Sequence, residues 1–289
     1  NIRQFPAMSK KKRRDIPHFK TPIIETHCHL DYLDQADLEI TLAKSRQVGI
    51  ERIITIAVSA GNLESVMKLA TSSANIWGTQ GIHPHEAESY TPEVDAIIRR
   101  NAGHAKILAV GEIGLDYYYD HADRAVQRSV FEQQLQTAIE LDLPVVIHTR
   151  EADDDTRDIL KNCSTSLNRK GVIHSFTSSL ALAEFCLAEG FMLGFNGITT
   201  FKSADNVRQV VAATPMTQLL LETDAPYLTP VPYRGRPNAP YYLPFIAETL
   251  AAIKEVDVEV LLQQAYRNSL DVFFSGIKET QATTPAAPG

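Results

Sequence analysis

Two apolar patterns alternate along the middle of the chain. Short continuous apolar runs occupy residues 23–25, 53–58, 76–81, 107–111, 145–147, 172–173, 192–195 and 219–221. With their flanks, each is about four to eight residues long, which suits a strand buried on both faces of a parallel sheet. Between them the spacing turns helical. Leu63, Val66, Met67 and Ala70 fall at i, i+3, i+4 and i+7, and Phe131, Leu135, Ala138 and Ile139 at i, i+4, i+7 and i+8. Each set makes one apolar stripe on a helix. Strands alternating with helices predict an α/β protein, and eight of them favour a TIM (β/α)8 barrel in a single domain over an open sheet. No GxGxxG follows the first strand, which argues against dinucleotide binding.

The ends break this pattern. Residues 1–21, with the basic run from Lys10 to Arg14, are expected to form a flexible tail, and Met8 to be the natural start. Residues 276–289, rich in Thr, Ala and Pro, are expected to form a second flexible tail around a barrel spanning 22–275. No apolar run approaches the ~20 residues of a membrane span, and no secretory signal follows the basic residues. Cys28, Cys163 and Cys186 lack CxxC spacing, so neither a disulfide framework nor a cysteine zinc site is expected, and a reducing, cytoplasmic setting is. On a strand, Cys28 should point away from its two histidine neighbours. A net charge of −7, from 28 basic and 35 acidic residues, argues against a broad basic groove for nucleic acid. It does not exclude a phosphodiester drawn in by bound metal.

The candidate chemistry sits at the strand ends. His27 and His29 close the first strand, Glu112 the fourth, His148 the fifth and His174 the sixth, and Asp224 follows the eighth. In a β/α barrel all these ends meet at one rim, where active sites lie. Residues i and i+2 of a strand share a face, so the HxH pair can address one ion. Any one of these residues has an ordinary structural reading, but their joint placement does not. Four histidines and two acids exceed the three protein ligands of one catalytic metal, which points to two divalent ions sharing a carboxylate. Imidazole and carboxylate ligands admit Zn or Mn and, less often, Mg.

The segments ETHCHLD (25–31), GIHPH (81–85), GEIGLDYYY (111–119), PVVIHTREA (144–152), IHSFT (173–177), GFNGITTF (194–201) and LLLETDAPYLTPVPYRGRPNAP (219–240) occur in the order seen in one family. The sequence resembles the TatD family of metal-dependent deoxyribonucleases from residue 22 to about 274. The resemblance implies a TIM barrel, hydrolysis of DNA phosphodiesters and a role such as DNA repair. It implies that His27, His29 and Asp224 hold one metal, that Glu112 bridges, and that His148 and His174 hold the second.

Other positions carry open roles. His83 is expected either to meet the scissile phosphate or attacking water, or to order its loop, and His85 leans to the latter. Glu222 shares a strand face with Asp224, and either orients water or backs a histidine. Arg150, Arg234 and Arg236 are candidate phosphate contacts, and among Tyr117, Tyr118 and Tyr119 a base-stacking role is expected for Tyr118, with at least one ring structural. The expected reaction is 3′-to-5′ exonucleolytic cleavage of single-stranded DNA ends, with Asp224 or Glu222 taking the water's proton. The alternative is attack on a carbonyl carbon, in a lactone, ester or aminoacyl-tRNA. Many amidohydrolases of that kind bridge their metals with a carbamylated lysine where this chain has Glu112. DNA is the expected partner, and the chain is expected to be a monomer with no membrane association.

Overall fold

The computed structural model describes residues 12–275. Eight parallel strands alternate with helices: β1 (Ile23–Cys28), α1 (Leu38–Gln47), β2 (Ile50–Thr55), α2 (Leu63–Ser72), β3 (Ile76–Gln80), α3 (Pro92–Ala102), β4 (Ile107–Asp116), α4 (Arg124–Leu141), β5 (Val145–Arg150), α5 (Asp153–Cys163), β6 (Gly171–Ile173), α6 (Leu180–Ala188), β7 (Met192–Phe195), α7 (Asp205–Ala213), β8 (Leu219–Leu221), α8 (Leu243–Lys254) and α9 (Val258–Ser269). The strands follow one another in chain order around the sheet. The ring closes where Thr26 Oγ1 donates to Leu221 O (2.7 Å), Asp224 N to His27 O (2.9 Å) and His29 N to Ala225 O (2.8 Å). This is the expected TIM barrel.

The strands are apolar throughout because both faces are covered. Ile24, Ile54, Leu108, Val146, Val172 and Leu220 fill the barrel, and Val272, Phe273 and Phe274 pack into the same cluster. Trp77 meets Phe274 edge-on at 5.0 Å, so the chain's last described turn plugs the end opposite the strand carboxyl termini. The other faces, including Ile53, Ile113, Ile147 and Ile173, pack against the helices. The expected stripe of α2 is buried at Leu63, Val66 and Ala70, and that of α4 at Phe131, Leu135 and Ala138. Cys28 turns its Sγ toward Ile54 O (3.7 Å), away from the neighbouring imidazoles, and all three cysteines are free. Among the described residues, no helix is long and apolar enough to cross a membrane.

The expected N-terminal tail needs correction over its described part. Arg14 Nη1 donates to both oxygens of Glu248 (3.1 and 3.2 Å), its guanidinium lies 4.9 Å from the Phe245 ring centroid, and the Tyr233 hydroxyl donates to its carbonyl (2.9 Å). Glu259 accepts from the amides of Lys20 (2.7 Å) and Thr21 (3.0 Å). Residues 12–21 therefore strap α8 and α9. They bind through individual polar anchors, which leave no periodic pattern to read. Met8, Lys10, Lys11 and residues 276–289 lie outside the described residues.

Candidate metal centre

Two irregularities in the sheet aim the candidate ligands. Ile24 faces the barrel interior, so strict alternation would send Thr26 and Cys28 the same way. Between Glu25 and Cys28, however, β1 spends three residues where β2 spends two, Ile53 to Thr55. One extra residue switches the face. His27 and His29 thereby enter the mouth and Cys28 leaves it. Likewise Gly111 and Ile113 of β4 pair with the consecutive Val146 and Ile147, leaving Glu112 as an unpaired extra residue. Its amide is satisfied by Ala57 O at 2.9 Å, and its side chain projects into the mouth.

Glu112 is the hub. Its Oε1 lies 3.2 Å from His27 Nε2 and 3.9 Å from His29 Nε2. Its Oε2 lies 2.9 Å from His174 Nε2, 3.2 Å from His148 Nδ1 and 3.3 Å from His83 Nε2. Asp224 Oδ1 completes the first side, 3.3 Å from His27 Nε2 and 3.2 Å from His29 Nε2. Ligand atoms of His27, His29 and Asp224 lie within 4.8 Å of one another, as do those of His83, Glu112 and His148, and of His27, His174 and Glu222. All six expected ligands thus converge, and His83 joins the His148 side.

The residues fit a divalent cation. Both ring nitrogens of His27 are buried without a hydrogen-bond partner, although two carboxylate oxygens stand close to Nε2. Buried polar atoms are rarely left unsatisfied without a cause, and a cation among these N and O donors supplies one. Electrostatics point the same way. Burial alone would raise the Glu112 carboxyl, but the His174 charge, with hydrogen bonds from His148 and His174, holds it well below the usual carboxylate range. For Asp224, burial is likewise outweighed by the adjacent imidazoles of His27 and His29. His83 is pushed down to about 4, by burial and then by the neighbouring His148 charge, leaving a neutral imidazole at pH 7. Ionised carboxylates are the form that binds metal. For His27, His148 and His174 burial would lower the imidazole, but the surrounding carboxylates push it up, so a cation entering the cluster would displace their protons.

The supporting contacts settle which way several side chains point. Glu222 is fully buried behind His174. Its Oε2 faces His174 Nδ1 at 3.3 Å, and its carboxylate accepts from Ser175 N (3.1 and 3.2 Å) and Asn196 Nδ2 (3.2 Å). These contacts place Glu222 behind a histidine, and one of its oxygens also lies within 4.8 Å of ligand atoms of His27 and His174. Asp116, given no role from sequence, performs the same service for His148. Its Oδ2 meets His148 Nε2 at 2.8 Å and His85 Nε2 at 3.2 Å, while its Oδ1 accepts from the amides of Tyr118 and Tyr119. Its spacing of four from Glu112 on one strand was a usable signal, since i and i+4 share a face.

The remaining candidates separate. Arg150 lies under Tyr118, its guanidinium carbon 3.9 Å from the ring centroid. Arg234 and Arg236 are exposed and lie over Phe201 (3.8 Å) and Tyr233 (5.7 Å). Among the described residues, no hydrogen bond or ion pair links either to the ligand cluster. Tyr117 is the structural ring: it is buried, and its hydroxyl donates to Asp155 at 2.5 Å.

A (β/α)8 barrel with buried histidines and carboxylates gathered at its carboxyl-terminal mouth defines the class of metal-dependent hydrolases. The sequence matches the family described as TatD related DNase over residues 24–274. This chain belongs to that TatD family. It is 34% identical to "Uncharacterized metal-dependent hydrolase YabD" of Bacillus subtilis (strain 168), covering 87% of this chain and 98% of that protein. It is 36% identical to "3'-5' ssDNA/RNA exonuclease TatD" of Erwinia amylovora, covering 82% and 93% respectively. The solved structure of YjjV, a TatD homologue from Escherichia coli K12, superposes with a TM-score of 0.83 at 32% identity, covering 88% of this chain and 98% of that one.

Proposed function

We propose that this protein is a two-metal 3′–5′ exodeoxyribonuclease acting on single-stranded ends. The observation that carries the reading is the split of Glu112. One of its oxygens addresses His27, His29 and, beyond them, Asp224. The other addresses His83, His148 and His174. A single carboxylate between two imidazole sets is the arrangement that bridges a pair of ions. Bound there, such a pair lowers the pKa of a water and offsets charge on both the attacking and leaving oxygens.

The protein's own groups then divide the work. His27, His29 and Asp224 would hold one ion and His148 and His174 the other, with Glu112 shared between them. Asp224 takes the proton of the attacking water, since its side chain is 14% exposed while those of Glu112 and Glu222 are 3% and 1%. The water oxygen attacks phosphorus, the P–O3′ bond breaks, the 3′-oxygen of the preceding nucleotide leaves and takes up a proton from Asp224 or solvent, and a 5′-mononucleotide is released. His83, neutral and beside Glu112, orients that water or joins the second ligand set. Arg150 and Tyr118 stand at the rim as substrate contacts, and the exposed Arg234 and Arg236 meet phosphates further out. The name of the Erwinia relative supports the direction and strandedness of cleavage. The free, mostly buried cysteines support a reducing cytoplasmic setting, and a monomer remains the expectation.

The test uses single-stranded DNA labelled at its 5′ end, metal-stripped protein resupplied with Mg²⁺, Mn²⁺ or Zn²⁺, and His148→Ala as control. A ladder shortening from the 3′ end, lost in the variant, is expected. DNA left intact with every metal would refute the reading and favour a carbonyl ester or amide substrate, whereas fragments cut internally would refute exonucleolytic action.

A further inference from the structure

Two tyrosines not used above converge on one candidate ligand. Tyr32 ends the short turn after β1, and Tyr227 lies three residues beyond Asp224. The Tyr32 ring stacks on the His29 imidazole, with centroids 5.5 Å apart and planes at 23°. Tyr227 approaches the same imidazole edge-on at 6.2 Å and 64°. They are 44% and 52% exposed. Neither phenol has a hydrogen-bond partner among the described residues, so neither ring is held in place by its hydroxyl. A single exposed aromatic needs no explanation. Two that meet over one ligand of the reaction centre, and stay about half exposed while doing so, make a surface against which another flat group can lie.

A second aromatic face stands across the mouth. Tyr118 and Tyr119 follow β4, are 56% and 52% exposed, and meet edge-to-face at 4.7 Å. The Arg150 guanidinium lies 3.9 and 5.1 Å from their centroids. In a ring of eight strands, the β8/β1 junction and the β4/β5 junction are diametrically opposed. His121 stacks on Tyr119 at 5.3 Å and 13°, which leaves Tyr118 as the more accessible ring of this pair. The Glu112 hub therefore lies between two half-exposed aromatic pairs.

We propose that Tyr32 and Tyr227 seat one nucleobase beside the scissile phosphate, and that Tyr118 and Tyr119 take the base on its other side. The inference rests on the nuclease reading and specifies its substrate: a strand whose bases are unpaired on both sides of the cleaved bond. Bases inside a duplex are already stacked and cannot offer their faces to two opposed platforms. Stacking reads the π-face that every base has, so the seat tolerates any base.

The test uses oligodeoxynucleotides with an abasic deoxyribose at the last or the penultimate position, the two that flank the terminal phosphodiester. Wild-type enzyme should discriminate against both. Tyr32→Ala and Tyr227→Ala should raise KM on the intact strand about tenfold, with a smaller change in kcat. They should lose discrimination at one of the two abasic positions, and Tyr118→Ala should lose it at the other. Tyr32→Phe and Tyr227→Phe, which keep the ring, should retain it. A readout free of turnover is 2-aminopurine at each position, on a strand whose terminal linkage is an uncleavable phosphorothioate: its fluorescence should be quenched on binding to wild type, and one position should be relieved by each set of alanine variants. If wild type shortens strands while the alanine variants keep its discrimination and quenching at both positions, the seat is overturned and the nuclease reading stands. If metal-loaded wild type cleaves no strand at all, both fall together.

Discussion

Asp116→Asn isolates what the second carboxylate does for His148. In the wild type, Asp116 Oδ2 lies 2.8 Å from His148 Nε2, and His148 Nδ1 faces Glu112. Burial would raise the Asp116 carboxyl, but hydrogen bonds from His148 and His85 hold it well below the usual carboxylate range, so it is an acceptor at neutral pH. An acceptor there fixes the proton on Nε2 and frees the Nδ1 lone pair for metal. Asparagine nearly preserves the shape and removes one acceptor. If its oxygen stays on the Tyr118 and Tyr119 amides (3.0 and 3.2 Å), its NH2 confronts Nε2 and drives the imidazole proton to Nδ1, which then cannot ligate. If the amide flips, the oxygen keeps Nε2 but the NH2 confronts those two backbone amides. Both orientations lose one side of the arrangement.

Replacing such a partner of a ligating histidine typically costs 10- to 100-fold in metal affinity, about 1.4 to 2.8 kcal/mol. Calorimetric titration of metal-stripped protein with Mn²⁺ should show that loss in one of two binding events, with the other little changed. Ring ¹⁵N shifts of His148 should report the tautomer in the same samples. Wild-type affinity for both events, with the variant folded, would refute the tautomer argument and leave Asp116 a loop-ordering residue.

Two further outcomes follow from the packing and the charges. In Gly194→Ala the new methyl would sit 2.1 Å from Glu222 Oε1 and 3.2 Å from His174 Cα, both fully surrounded, so it must displace the carboxylate that holds His174. Thermal denaturation should show a loss of about 1 to 3 kcal/mol, and nuclease activity should fall by more than tenfold; a variant with wild-type activity would mean that His174 needs no such support. Glu25 is fully buried and pushed up to about 8, by burial first, with Thr223 and the His27 amide pulling the other way. The folded state then keeps a proton that the unfolded state releases near 4.5, so stability is fully present below 4.5 and is lost as pH rises through 8. In metal-stripped protein, the stability of wild type relative to Glu25→Gln should fall across that window and be flat outside it; a difference that rises instead would show that the three donors to Glu25 outweigh its burial.

The barrel was legible because strand and helix periods differ and each apolar run is buried on both faces. The ligands were legible because a parallel barrel brings every strand end to one rim, so His27, Glu112, His148, His174 and Asp224 need only share a place relative to their strands. The bulges were not. Alternation from Ile24 points Thr26 and Cys28 into the mouth, and only the extra residue in β1 reverses this. Strand β4 read as ending near residue 111, because Gly111, Glu112 and Gly114 interrupt its apolar run, yet pairing with β5 continues to Asp116 and Arg150. That misplaced boundary hid Asp116. Tyr32 and Tyr227 left no signal, since a lone tyrosine in a loop has no period and acquires meaning only when two loops far apart in sequence meet over His29.

The same geometry explains why the residues that support the ligands lie so close to them in sequence. Asp116 lies four residues after Glu112 on β4 and shares its face, so it can reach the imidazole presented by the neighbouring β5. Glu222 and Asp224 follow the end of β8, and Glu222 reaches past β7 to His174. Glu222 stands two before Asp224 and meets His174; Asp116 stands four after Glu112 and meets His148. Each supporting acid is thus carried by the strand, or the strand end, that carries a metal-ligating acid, while the histidine it orients comes from elsewhere. A shift in the register of β4 or β8 would move ligand and support together. Both supports act on imidazoles proposed to hold the same ion, so Asp116→Asn and Gly194→Ala should each weaken that ion and spare the one proposed for His27, His29 and Asp224, which titration of the two variants would check.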